Sequence, residues 1–229
     1  PDGRTDYEGT ETAPTTPGDS VLNEFKNYDD LLAAKKITGS DVSFVIPRRN
    51  WTTGTTYDIY RHDYEEFVTG STSTRVTANS TATTLFDSTF YVLSSDRNVY
   101  KCLDNDGNTA STVEPTGTST SVITTGDGYK WKYMYTLSAA QQSNFLSTDF
   151  MAVATNSTVS SAATDGGIDI VKIKTAGSSY TVSGGATSGT ITNVPIRGDG
   201  SSAVCSVTLT SGAISAVTIT AAGTGYTSG

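Results

Sequence analysis

From Tyr129 to Tyr135 the chain reads Tyr-Lys-Trp-Lys-Tyr-Met-Tyr, with an aromatic ring at every odd position. The two-residue period of a strand gathers Tyr129, Trp131, Tyr133 and Tyr135 on one face and turns Lys130 and Lys132 to the other. Such a face either fills the core between two sheets or stands open as a platform on which sugar rings stack. Core filling is the preferred reading, because an open strip of four rings would be a large apolar patch. The turn Gly126-Asp127-Gly128 leads into this strand.

Thr and Ser supply about three residues in ten, Gly is frequent and apolar runs are short, as in a β-rich chain with many turns. The expected fold is mainly β with a few short helices: a β-sandwich-like domain over 20–160 and a small Gly/Thr-rich β-repeat module over 166–229. Residues 1–19, with Pro14, Pro17 and little to bury, read as an extended arm. Charge marks the domain boundary. Only Asp169, Lys172, Lys174, Arg197 and Asp199 are charged beyond residue 165, so the net charge is −9 before that point and +1 after it.

Local signals fill in the elements. Ser20 caps a predicted helix with Val21, Leu22, Phe25, Tyr28, Leu31 and Leu32 on one face, ending near Lys35-Lys36 and Gly39. A strand over Val42-Ser43-Phe44-Val45-Ile46 is closed by Pro47. Phe90 to Leu93 and Val99 to Leu103 read as a hairpin joined by Ser94-Ser95-Asp96-Arg97-Asn98. Thr69 to Thr84 reads as a long Ser/Thr loop, and Ser138 to Gln141 as a capping box opening a helix that buries Phe145 and Leu146. Beyond it, Ile170 to Thr181 recurs as Ala216 to Thr227 at an offset of 46 residues, with a hairpin through Ser211-Gly212 feeding the second copy. The chain starts at Pro1 and stops inside this second copy, so both ends are expected to be truncated.

The net charge of −8 and the pI near 4.5 argue against nucleic acid, which needs clustered positive charge. No apolar run reaches membrane-spanning length, so no membrane partner is expected. Cys102 and Cys205 stand one in each expected domain and read as reduced, packed side chains. In Asp104-Asn105-Asp106-Gly107-Asn108 the glycine is misplaced for a calcium loop and Pro115 occupies the site of the closing Glu, so a hairpin turn is expected and no metal. The one histidine, His62, has no nucleophile motif beside it, which leaves no catalytic triad. Carboxylate pairing as in glycosidases is not legible from a sequence, and Glu65-Glu66 would point to opposite sides of a strand. Arg48, Arg49 and Trp51 either anchor a partner, being types that dominate interfaces, or pair with carboxylates of the same acidic domain.

Ile46-Pro47-Arg48-Arg49-Asn50-Trp51, Val99-Tyr100-Lys101-Cys102-Leu103, Glu114-Pro115 and Gly126-Asp127-Gly128-Tyr129 with Trp131 and Tyr133 keep one order along the chain. In that order, over roughly Pro17 to Phe150, they resemble the baseplate wedge subunit of T4-like contractile-tailed phages, in its cyanophage-type form. The resemblance implies a structural protein of the virion tail baseplate, present in the host cytoplasm during assembly, with no catalytic role and no cofactor. It also implies a homodimer that contacts other baseplate wedge proteins and rearranges when the tail contracts. The repeat module, the long Ser/Thr loop and a missing N-terminal section depart from the family pattern. The alternative reading is a host-surface glycan-binding module using the aromatic strip and the repeat; a glycan-cleaving tail enzyme ranks third.

Overall fold

A computed structural model describes residues 32, 33, 35–61, 78–82 and 84–227. Its chain divides into two units, Pro1–Ser43 and Phe44–Gly229. The extended arm, most of the helix expected from Ser20, His62, Glu65-Glu66 and nearly all of the Ser/Thr loop lie outside the described residues. The described end of that expected helix, from Lys35 to Thr38, is not helical. It leads into a short 3-10 turn, Gly39–Asp41, where the Asp41 carboxylate accepts the Thr38 amide at 2.8 Å and its hydroxyl at 2.7 Å.

The second unit is mainly β and sandwich-like, as expected. Strand β1 (Val45–Pro47) pairs antiparallel with β6 (Phe150–Ala152). Strands β2 (Tyr91–Leu93), β3 (Asn98–Asp104), β4 (Ile123–Thr124) and β5 (Lys130–Thr136) form a sheet in the order β2-β3-β5-β4. A third sheet holds β7 (Gly189–Pro195), β8 (Ser201–Thr210) and β9 (Ala213–Thr224) in sequence order. Two short helices, α1 (Ala139–Phe145) and α2 (Ser157–Ala162), complete the described elements.

The β2–β3 hairpin forms where expected, with Ser94 N–H donating to Asn98 C=O at 2.8 Å. Helix α1 opens on its capping box: Ser138 Oγ accepts Gln141 N–H at 3.3 Å, and Gln141 Oε1 accepts Ser138 N–H at 3.0 Å. Phe145 and Leu146 then pack on the core. In the tail, Ser211 and Gly212 turn the β8–β9 hairpin with φ of 52° and 80°, the left-handed pair that matches strand twist. The second repeat copy is strand, in β9, as far as Thr224, whereas the first, expected to be a strand too, is not one.

The aromatic strand serves two cores, which corrects the expectation of four rings on one face. Val99 lies opposite Tyr135 and Tyr100 opposite Tyr133, so Met134 is an extra residue in β5. This bulge reverses side-chain parity. Before it, Tyr129, Trp131 and Tyr133 join Tyr57, Val92, Tyr100 and Cys102 in one cluster. After it, Tyr135 joins Tyr91, Leu93, Val99, Leu137, Met151 and Ala152 in another. The second cluster lies between two sheets, since Met151 and Ala152 come from β6 and Ile46 of β1 packs against it.

All four rings are buried, with exposures of 0, 0, 3 and 7% in chain order, so this strip fills core and presents no sugar-stacking face. Tyr129 stacks on Trp131 at 5.4 Å between centroids, and Tyr57 meets Trp131 edge-on at 5.6 Å. Hydroxyls reach partners at the edges: Tyr129 donates to Thr109 C=O at 2.6 Å and Tyr135 to Ala152 C=O at 3.0 Å.

Trp131→Ala is expected to cost roughly 3–5 kcal/mol in urea unfolding, whereas Thr124→Ala, at the exposed position of β4, should change stability by less than about 0.5 kcal/mol. Both cysteines are free and buried. Burial pushes the Cys102 thiol well above its ordinary range, with Asp104 adding to the effect. Neither cysteine should react with iodoacetamide in the folded protein, and both should react in denaturant, as mass spectrometry will read.

Candidate functional site

Residues 48–51 carry the chain from one sheet to the next. Arg48 N–H donates to Asp149 C=O at 2.7 Å, extending the β1–β6 pairing. Leu93 N–H then donates to Arg49 C=O at 2.7 Å and Trp51 N–H to Leu93 C=O at 2.9 Å, a parallel bridge along β2. Each side chain pins a different neighbour. Arg48 donates to Ser147 C=O at 2.8 Å and Asn50 Oδ1 at 2.9 Å. Arg49 donates to the carbonyls of Phe86 and Asp87, both at 3.1 Å, with its guanidinium 5.4 Å over the Tyr91 ring. Trp51 donates its indole N–H to Ser111 Oγ at 3.1 Å and packs against the first cluster.

Of the two expectations for Arg48 and Arg49, pairing with carboxylates of the same domain is not what the described residues show. They bond neutral oxygens of their own unit instead of carboxylates. A guanidinium offers five donors in a plane, which suits it to gathering carbonyls from separate loops.

The other motif residues are clamps of the same kind. Asp127 Oδ2 accepts the amides of Thr112 and Val113 at 2.8 and 3.0 Å and the Ser111 hydroxyl at 3.0 Å, and Oδ1 accepts the Thr125 hydroxyl at 2.5 Å. Burial opposes its ionisation, but those hydroxyls and amides outweigh it and hold the carboxyl at about 2. Glu114 accepts the amide and hydroxyl of Ser95 at 2.6 and 3.0 Å, tying a loop to the β2–β3 turn. Gly128, at φ 87°, lies so close to Asp106 that an added Cβ would fall 2.6 Å from its Cγ.

Asp104 to Asn108 forms a turn, but one that opens a long loop instead of joining paired strands. Buried Asn105 organises it, donating to Tyr57 C=O at 2.9 Å and Asn108 Oδ1 at 2.8 Å. Among the described residues no group of three or more acidic, His or Cys side chains is placed to hold a metal. Nearby, Lys132 meets Asp169 at 2.8 Å and Lys172 meets Asp104 at 3.5 Å, so two of the few tail charges fasten residues 169–172 to the second sheet.

The surface best suited to function is an apolar groove of about 380 Å³, floored by Ile46, Phe90, Tyr91 and Tyr135 and edged by Phe86 and Val153. Large apolar side chains stand open around it. Phe86 is 68% exposed and Phe44 88%, and Val45, Phe150 and Val153 are exposed as well. Val153 N–H donates to Phe44 C=O at 2.8 Å, which sets Phe44 beside the Val153 edge of the groove, whereas Phe150, opposite Pro47, stands at the other end of the β1–β6 pair. Arg49 holds the carbonyl of Phe86 and thereby positions the rim. Lys101 lines the groove with its ammonium 4.5 Å from the Tyr60 ring; burial lowers its pKa, partly offset by Asp169. Sequence reasoning reached Arg49 but not the groove, because its residues come from stretches that are distant along the chain and carry no shared local pattern.

Asp127 should make stability acid-sensitive within a defined window. Its folded pKa lies near 2 against 3.8 in the unfolded chain, so its contribution is full above about pH 4 and fades toward pH 2. Asp127→Asn should lose roughly 1–2 kcal/mol at neutral pH, a modest figure because the group is partly solvated. That deficit should vanish near pH 2 in denaturation curves taken across the range. No family model, curated protein or solved structure matches this chain.

Proposed function

We propose that the chain is a structural subunit of a phage tail baseplate wedge, which works by fitting surfaces together during virion assembly. The observation that carries this reading is the exposed groove with its aromatic rim on an otherwise acidic chain. Contiguous apolar surface of this kind is characteristic of a face that another protein covers. The resemblance to wedge subunits adds support. The motifs behind it, around Arg49, Glu114 and Asp127, all serve to hold loops in place.

A homodimer and contacts with other wedge proteins belong to the same proposal, with the groove as the contact face. Held by a few rings and little charge, such a contact can exchange when the plate rearranges. The glycan-binding alternative would need a surface other than the aromatic strip, whose rings are buried.

Immunogold electron microscopy of purified phage particles, with antibody against this chain, tests the assignment. A ring of label at the baseplate is expected. Label confined to fibre tips would favour host recognition, and none on intact or disassembled tails would overturn a virion role. Sedimentation velocity of the purified chain tests the contact face: a species of twice 24.0 kDa is expected. Phe44→Ser with Phe86→Ser should return it to monomer while leaving the unfolding midpoint nearly unchanged, because both rings are exposed in the single chain.

A further inference from the structure

Lys101 and Lys132 lie directly opposite each other across the β3–β5 ladder, an arrangement in which like charges repel. One carboxylate serves the two. Asp169 meets Lys132 at 2.8 Å, whereas Lys101 makes no ion pair among the described residues. Its ammonium rests instead over the Tyr60 ring, which packs edge-on against Phe90 of the groove floor at 5.3 Å between centroids. Among the described residues Lys101 is the one charged side chain lining the groove. Burial penalises its charged form, and the more distant Asp169 offsets only part of that cost. Closing the groove with apolar atoms alone would add to the penalty, whereas a carboxylate brought against Lys101 would relieve it.

The rim holds a carboxylate in the complementary condition. Asp87 directly follows Phe86, and both are exposed. Arg49 grips both of their carbonyls at 3.1 Å, which fixes the backbone that presents the ring and the carboxylate together. Thr84 Oγ1 donates to Asp87 Oδ2 at 2.8 Å. Among the described residues Oδ1 has no hydrogen-bond partner and Asp87 makes no ion pair, so it does not meet Lys101 within one chain.

One face therefore carries both halves of a contact: an apolar groove with an uncompensated cation, and beside it an exposed ring with an uncompensated anion. A surface that holds both halves is complementary to itself under a two-fold rotation, which makes each half of one copy meet the other half of the second.

We propose that a second copy of this chain covers the groove, seating its Phe86 there and setting its Asp87 against Lys101 while the reverse contact forms alongside. This rests on the contact-face reading given above and adds the residues by which that face recognises its own kind. The rings supply burial. The two ion pairs supply specificity, since a like charge at either position is repelled.

Lys101→Glu and Asp87→Lys chains, each studied alone and then mixed, test the pairing. In either variant alone both contacts bring like charges together, so at low salt dimerisation should weaken about tenfold or more in sedimentation velocity. In a dimer of one variant with the other, one contact is native and the second has its charges exchanged, so affinity should return to within about threefold of the native chain. An effect confined within one chain would gain nothing from mixing. Lys101→Met guards against a folding defect: it should keep the native far-ultraviolet circular dichroism, dimerise more weakly, and lose most of the salt dependence of the native dimer. Native-strength dimers of both charge variants, or a mixture no tighter than its components, would overturn the proposal. The contact face itself would still stand if Phe44→Ser with Phe86→Ser gave monomer. A native chain that stays monomeric overturns both and leaves the groove to a different protein. Immunogold label absent from the baseplate would leave the mixing result untouched, so the virion reading fails separately.

Discussion

The bulge at Met134 is the constraint on which the rest of the second unit depends. An unbroken β5 would send every ring to one side and leave the face toward β1 and β6 without Tyr135. With one extra residue, the same strand supplies Tyr129, Trp131 and Tyr133 to one core and Tyr135 to the other. The crossing at 48–51 is the matching device on the opposing layer, where a single stretch pairs with β6 and then with β2. Between them the two features lock the small sheet onto the large one and create the corner at which the groove opens.

Around these cores the loops obey one electrostatic rule. The chain has 23 acidic residues against 15 Lys and Arg, too few cations to neutralise its carboxylates. It uses hydroxyls and amides instead. Buried Asp58 accepts from the amides and hydroxyls of Ser80 and Thr89, Glu114 from Ser95, Asp87 from Thr84, and Asp199 from Thr227. Asp127 collects two hydroxyls and three amides. The abundance of Ser and Thr is thus a consequence of the acidity as well as of β structure, since each supplies the donor that a carboxylate inside a loop requires.

What was legible in the sequence was local. The β2–β3 hairpin, the box at Ser138 and the turn at Ser211-Gly212 each depend on neighbours a few residues apart, and each formed where the residues put it. The mainly β class followed from composition in the same way. What was hidden was non-local. The perfect alternation from Tyr129 to Tyr135 conceals the bulge, because the extra residue shows only when Val99 and Tyr100 lie opposite it. Arg48 and Arg49 were singled out as unusual, but apart from Asn50 beside Arg48 their partners are carbonyls 37 to 99 residues away, which no motif announces. The repeat was visible at once, whereas the bonds between its copies, Ile168 to Ala222 and Ile214 to Ala176, required the structure.

The carboxylate clamps and the tail's ion pairs respond differently to their surroundings. A carboxylate held by hydroxyls and amides relies on short-range dipolar contact, which dissolved salt barely weakens, whereas the partly exposed pairs Lys132–Asp169 and Lys172–Asp104 are screened within a few ångströms in brine. Ionic strength therefore acts on the anchorage of residues 169–172 to the second sheet and spares the cores on either side of β5. A rise in salinity would loosen that anchorage before it touched the packed rings.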